Sequence, residues 1–317
     1  MPLYLSEEEV ARLLTMPECI DALERIFAEW AAGKASVRPR QRAATEGAML
    51  HLLPAASQSL GRMAAKVYAT TRAGARFIVL LFDAGSSELL AIIEADRLGQ
   101  VRTGAASGLA TRWLARKDAA VLGLLGTGWQ ARSQAQAMAT VRPLSSIRAY
   151  GRDRERLATF CRDVETACGV PATPAASAEA AVRGADIVVT ATNSATPVLK
   201  GDWLEPGMHL NAVGNNRAER RELDERAVRR ADLLVVDYLE QARIEAGDLL
   251  VSPCDAGEQG VFEKAVELSA IVSGRHPGRA SAEQVTLFKS LGIGLEDLAA
   301  ASLIYDKAIP AGAGRRL

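Results

Sequence analysis

In this 317-residue chain the first residues whose types and spacing could do chemistry are Gly126-Thr127-Gly128-Trp129-Gln130-Ala131, a GxGxxA string directly behind the apolar run at 119–125. The first glycine of such a string permits a tight turn. The second lets a pyrophosphate approach the backbone, and the small third residue keeps the next helix close to the sheet. The helix that opens here, WQARSQAQAMAT, presents unpaired N–H groups to phosphate. The alternative is an ordinary strand-to-helix turn; the further strand–helix units behind it favour a dinucleotide. The next strand, SIRAY, ends in Gly151-Arg152, where an NAD site carries an acid for the ribose hydroxyls. A guanidinium there suits a 2′-phosphate, so NADP(H) is the expected cofactor and NAD(H) the alternative. The alternative is a solvated arginine ahead of a helix, with Asp153 capping that helix.

A second group is cationic. Lys66, in GRMAAKVYAT, is the only charge between Arg62 and Arg72. An ammonium among Met63, Ala64, Ala65 and Val67 is costly to desolvate unless it meets an anion; the bland alternative is a strand lysine reaching water. Arg102 stands in the helix QVRTGAAS, and Arg40 and Arg42 share the string RPRQR, two residues apart on one strand face. His51, in MLHLLP, shares a face with Met49 and Leu53, where a lone histidine is more often a satisfied core residue than a catalyst.

The elements that must position these groups follow from periodicity. A capping box at Ser6–Glu9 starts a short helix. A second opens at Pro17, with Ile20, Leu23, Ile26, Phe27 and Trp30 at helical spacing and Gly33 ending it. Segments 37–45, 48–53, 61–71, 76–83 and 88–94 then predict a mostly antiparallel sheet. A helix rich in Ala, Gly and Ser follows at about 100–115. From Asp118 strands at 119–125, 146–150, 186–192, 208–213 and 231–238 alternate with helices, which predicts an α/β, doubly wound parallel sheet. The tail GLEDLAAASLIYDKAI predicts an amphipathic helix. Glu222 and Asp224 are read as structural, paired with Arg220, Arg221 or Arg226.

Composition removes several function classes. Lys plus Arg and Asp plus Glu are both 38, so no basic excess points to nucleic acid or a membrane surface. Apolar residues make up 49% and aromatics 5%, so a core of Ala, Leu and Val is expected. Cys19, Cys161, Cys168 and Cys254 form no CxxC pair, and His51, His209 and His276 form no metal motif, so reduced cysteines and no metal are expected. The start, MPLYLSEEEV, lacks signal-peptide architecture and no apolar run reaches 18 residues, so a cytoplasmic protein is expected.

The strings KVYATT, DRLGQVRTGAASGLATRWLAR, LGTGWQA, VVTATNSATPVL, LNAVGNNRAERRELD and FKSLGIGLEDLAAA occur in this order. Together they resemble the ornithine cyclodeaminase/mu-crystallin family over nearly the whole chain. The resemblance implies a Rossmann domain (116–295) beside an α+β substrate and dimerisation domain (1–115 with the helix at 296–317), and a homodimer through the first sheet. It also implies hydride transfer between a nicotinamide and the Cα of an imino or amino acid. By it, Lys66 matches an active-site lysine, and Arg102 the arginine that grips the substrate carboxylate. Arg40 matches an arginine near that carboxylate, and Thr103 a group facing the cofactor phosphates. Thr192 and Asn193 match the nicotinamide ribose side; Ser290, Leu291 and Gly292 match a loop closing over the nicotinamide.

Two departures narrow this. The cyclodeaminases resembled here carry a glutamate where this chain has His51 and an aspartate where it has Asn216, and an amide cannot transfer protons as a carboxylate does. GNNRAERRELD is more like the mu-crystallin branch of ketimine reductases. The leading expectation is reduction of a small cyclic ketimine carboxylate of the Δ1-pyrroline-2-carboxylate type, with Lys66, Arg102 and His51 as catalytic candidates and Arg40 and Asn216 as substrate contacts. The rivals are an ornithine cyclodeaminase, an alanine-type amino acid dehydrogenase, and a cofactor-dependent small-ligand binding protein.

Overall fold

A computed structural model describes residues 1–250 and 260–317; Cys254 lies outside them. The chain divides into two units, Met1–Ala106 with Gly292–Leu317, and Ser107–Leu291.

In the first unit, one sheet runs in the order Arg315–Arg316, Leu3–Leu5, Leu89–Glu94, Gly74–Asp83, Arg62–Thr71, Ala48–Ser57 and Ala35–Val37, with Gln41–Thr45 also on Ala48–Ser57. Only the pairing of Leu3–Leu5 with Leu89–Glu94 is parallel. The expected strand 37–45 is therefore two strands. Pro39 has no N–H for a ladder, and Arg38 to Arg40 leave the sheet between them. The difference separates Arg40, which is buried in the break, from Arg42, which is exposed on Gln41–Thr45; the two do not share a strand face.

Alternation along the long strands sorts their residues. His51, Leu53, Ala64, Lys66, Tyr68, Val79 and Leu81 are buried on the face where helices Met16–Ala31 and Gly294–Ala311 pack. Leu50, Leu52, Met63 and Ile78 are at least 36% exposed on the other. The apolar surface left exposed is thus a sheet face. The Gly294–Ala311 helix is not amphipathic over its first half: residues 294–302 are all buried. The Ala- and Gly-rich helix begins earlier than expected, at Asp96, and ends at Leu114.

The second unit holds an eight-stranded sheet, parallel at every pairing, in the order Ala172–Pro174, Ser146–Tyr150, Val121–Leu125, Ile187–Thr190, His209–Ala212, Thr286–Lys289, Leu233–Val236 and Ala265–Glu267. The first five of these positions read 3-2-1-4-5 in chain order, the doubly wound arrangement expected. Its switch point lies between Val121–Leu125 and Ile187–Thr190, where such sheets bind ligands. The short strands Ala172–Pro174, Ala265–Glu267 and Thr286–Lys289 were not expected; three or four residues carry too little periodicity to show.

Candidate functional site

At that switch point the second unit opens a cleft of about 520 Å³. One wall is Gly126, Thr127, Gly128, Trp129 and Gln130; another includes Thr192, Asn193 and Gly214. Gly126 has φ +117° and a Cβ on it would collide with the Ala191 carbonyl, so the turn needs glycine. Gly128 begins the helix Trp129–Val141 with no side chain bonding its first N–H groups. A Cβ on Gly128 would meet nothing within 4 Å, so the space a pyrophosphate needs is open there. Ala131 is fully buried against the sheet. These features fit a dinucleotide.

The rim after Ser146–Tyr150 carries Gly151, Arg152, Asp153 and Arg156. The Asp153 carboxylate accepts the Arg156 N–H at 3.0 Å and caps the helix Arg154–Cys168. The only acid on this rim is thereby committed to a cap, and two exposed guanidiniums face solvent beside it. Arg156 carries no signal in the sequence beyond its charge.

Behind the other wall lies a buried polar network. Glu222 is fully buried: one carboxylate oxygen accepts Thr192 N and Thr192 Oγ1, both at 2.7 Å, and the other accepts Thr190 Oγ1 at 2.9 Å and Gly214 N at 2.7 Å. Burial pushes its pKa up, against the pull of Lys289 and these donors. Asp248 accepts Glu222 N and Leu223 N and lies 2.8 Å from Lys289 Nζ, which itself donates to the Asn215 carbonyl at 2.7 Å. Glu222 is therefore not the partner of a neighbouring arginine. Asp224 instead caps Glu225–Arg229 through Ala227 N and accepts Gly201 N.

The first unit gathers the cations. Lys66 is 3% exposed and its Nζ donates to Asp297 Oδ1 at 3.1 Å. Arg102 Nε donates to the same oxygen at 3.0 Å, and Arg102 Nη1 donates to Glu296 Oε2 at 2.7 Å. Arg40 Nη2 donates to the Gly292 carbonyl at 3.0 Å. Two glycines make room. A Cβ on Gly99 would stand 2.9 Å from Lys66 Nζ, and one on Gly292, at φ +75°, would strike the Arg102 guanidinium. Burial lowers the Lys66 pKa to about 8, with Asp297 opposing the shift. Burial also works against the Arg102 charge, but the carboxylates of Asp297 and Glu296 outweigh it and hold the guanidinium protonated.

His51 sits beside this cluster as the base of an aromatic stack. Its ring lies flat on Tyr68 with centroids 4.1 Å apart, Tyr68 lies on Phe77 at 4.8 Å, and His51 Nε2 is 3.1 Å from Thr70 Oγ1. Lys66 Nζ is 5.3 Å from the Phe77 centroid, within cation–π range.

The residues singled out from sequence therefore fall into two groups. Lys66, Arg102, Arg40, His51 and Gly292 come together in the first unit. Gly126 to Gln130, Arg152, Thr192 and Asn193 line the cleft in the second. Thr103, in the first unit, donates its hydroxyl to the Gly99 carbonyl at 2.7 Å. Asn216 is half-buried in the loop after His209–Ala212 and is not among the residues lining the cleft. Sequence reasoning did not single out Glu296, Asp297, Asp248 or Lys289. The signal was available for the first two, as the only charges in the run GIGLEDLAAASLI.

Known proteins resemble this chain along its whole length. The chain is 35% identical over 327 aligned residues to a Δ1-pyrroline-2-carboxylate reductase of Bacillus cereus, covering 99% of both. It is 35% identical to the ketimine reductase mu-crystallin of Mus musculus, over 96% of this chain and 97% of that one. Its fold matches the Δ1-pyrroline-2-carboxylate reductase of Thermococcus litoralis, solved with NADH and L-proline, with a TM-score of 0.93 and 33% identity over 99% of this chain and 100% of that one. A family model described as ornithine cyclodeaminase/mu-crystallin matches residues 2–311. With a Rossmann cleft, a buried lysine–arginine cluster and likeness along its whole length, the chain belongs to the ornithine cyclodeaminase/mu-crystallin family.

Proposed function

We propose that the protein is an NAD(P)H-dependent reductase of a small cyclic ketimine carboxylate, with Δ1-pyrroline-2-carboxylate, reduced to proline, as the type substrate. The first unit serves as substrate and dimerisation part and the second as cofactor part. The observation that carries the reading is the sharing of Asp297 Oδ1 by Lys66 and Arg102. It locks a protonated fork and a proton donor into one rigid piece. Lys66 has three N–H donors and uses one on Asp297; Arg102 keeps Nη2 outside its two carboxylate bonds. These remaining donors suit a carboxylate and an imine nitrogen, and Arg40 adds a second guanidinium beside them.

When bound, the nicotinamide supplies the hydride. The chain's own residues do the rest. Arg102 and Arg40 orient the carboxylate, and Lys66 holds a proton at the imine nitrogen so that Cα is electrophilic. The stacked rings of Tyr68 and Phe77, inclined by 30°, offer an apolar wall for a ring. NADP(H) is the preferred cofactor in this reading: Arg152 and Arg156 line the cleft rim after Ser146–Tyr150, which the reading takes as the ribose end, while Asp153 is used as a cap. His51, stacked on Tyr68 and bonded to Thr70, is better suited to shape the wall than to act as the base that ornithine cyclisation would need. The apolar outer face of the first sheet is proposed as the contact surface of a homodimer.

The test is a substrate panel followed at the absorbance of the reduced cofactor. Δ1-pyrroline-2-carboxylate and its six-membered analogue are expected to oxidise NADPH, with ornithine and alanine far slower. Efficient release of ammonia and proline from ornithine would overturn the reading, as would cofactor-dependent binding of an imine without turnover.

A further inference from the structure

The Glu222 network does nothing in the mechanism above, yet it touches the cofactor cleft at two points. Thr192 and Gly214 both line the cleft, and they stand just past the ends of two adjacent parallel strands, Ile187–Thr190 and His209–Ala212. Neither segment is in the sheet ladder there. What joins them is one carboxylate, which takes the Thr192 amide and hydroxyl on one oxygen and the Gly214 amide on the other. The approach is close: a Cβ on Gly214 would lie 2.5 Å from Glu222 Oε1 and from Thr192 N. Asp248 fixes the backbone of Glu222 itself through the Glu222 and Leu223 amides. Lys289 closes the circuit: it balances Asp248 and holds the Asn215 carbonyl, while Asn215 Nδ2 donates to the Ser194 carbonyl at 2.9 Å. The two cleft-lining segments are thus tied twice, by Glu222 at their roots and by Asn215 further out.

A buried group that accepts four hydrogen bonds is demanding of chemistry. An ionised carboxylate is acceptor-only and meets four donors without conflict. A glutamine of the same shape must turn its NH2 toward one pair, setting donor against donor at either Thr192 or Gly214. The glycine turn at Gly126–Gly128 and the rim at Arg152 receive no bond from Glu222.

We propose that Glu222, held by Asp248 and Lys289, is a positioning residue that sets the Thr192–Gly214 wall of the cleft and so governs binding of the nicotinamide half of the dinucleotide while leaving the adenosine half untouched. The inference rests on the reading of this cleft as the dinucleotide site.

The experiment is calorimetric titration of wild type and Glu222→Gln with the whole reduced cofactor and with its adenosine-side fragment: NADPH with 2′,5′-ADP, or NADH with ADP, whichever pair the wild type binds. Glu222→Gln is expected to weaken the whole cofactor at least tenfold and to change fragment affinity less than twofold. Loss of general structure would weaken both together, and that outcome, or no change in either, overturns the proposal. If Glu222→Gln does not fold, Thr192→Val removes the hydroxyl alone, which donates to Glu222 and accepts Ser194 N at 3.2 Å, and is expected to weaken the whole cofactor about threefold with the fragment again unchanged; equal effects on both ligands, or none, count against the proposal in the same way. Failure of the wild type to bind any of the four ligands would instead defeat the dinucleotide reading itself.

Discussion

Lys66 Nζ lies 3.1 Å from Asp297 Oδ1, across 231 residues of chain, and that oxygen also takes Arg102 Nε at 3.0 Å. Removing one partner of a buried ion pair costs about 3–5 kcal/mol, and Asp297 serves two partners. Asp297→Asn is therefore expected to lower the melting temperature and to cut imine turnover by two orders of magnitude or more. The Lys66 pKa should fall further, since its stabilising anion is gone. Thermal denaturation and a pH–rate profile check both parts; a fully active Asn variant with an unchanged profile would refute the shared-anchor role.

The Lys66 proton gives a pH prediction with two opposite limbs. The folded pKa, about 8, lies below the ordinary 10.5. If Lys66 holds the imine proton, kcat/KM should fall as pH rises through about 8. Stability should move the other way. Between about 8 and 10.5 the unfolded chain binds the proton that the folded one has lost, so this group's contribution favours folding as pH rises through that window. Lys66→Met should abolish the alkaline limb and leave a slow, flat residual rate. An alkaline limb persisting in the Met variant would assign the proton elsewhere.

Arg102→Lys keeps the charge and loses the planar fork that serves Glu296 and Asp297 together. A loss of about a hundredfold or more in kcat/KM is expected, with cofactor affinity retained. Normal turnover of a carboxylate substrate by Arg102→Ala would move the anchor to Arg40.

At the cleft rim, Arg152→Ala is expected to weaken NADPH by about 1.5–3 kcal/mol, the range for a hydrogen bond to a charged group. Arg156→Ala should have a smaller effect in the same direction, and NADH affinity should hardly change. Equal or better use of NADH by the wild type would end the 2′-phosphate assignment.

Ile78→Glu and Leu52→Glu place charge on the apolar outer face of the first sheet, where Ile78 and Leu52 are each 37% exposed. Analytical sedimentation should show a dimer for the wild type and a monomer for the double variant. A wild-type monomer at micromolar concentration would remove the proposed interface.

The glycine turn was legible because its geometry is local: a positive φ at Gly126 and an uncapped helix start at Gly128 leave marks in six consecutive residues. Lys66 was legible because an isolated charge in an apolar strand calls for a partner. That partner was not. Glu296 and Asp297 sit in the first turn of a helix, where acids ordinarily serve the macrodipole, and nothing local says that they are buried. The Glu222 network was hidden for a related reason. Arginines flank Glu222 in sequence and suggest short-range pairing, whereas its real partners, Thr190, Thr192 and Gly214, converge only when parallel strands assemble. Arg40 and Arg42 were placed on one strand face because the break at Pro39 was read as continuous strand.

The strand Arg62–Thr71 carries one further implication. Lys66 points to the covered face and Val67 to the open one, and the same alternation runs from Met63 to Tyr68. A one-residue slip in pairing would trade every inward side chain for an outward one. In the proposed reading, chemistry and association are thus written on alternate letters of a single line. An insertion or deletion within this strand cannot spare one while altering the other, so the two properties should be gained or lost together when the strand's length changes.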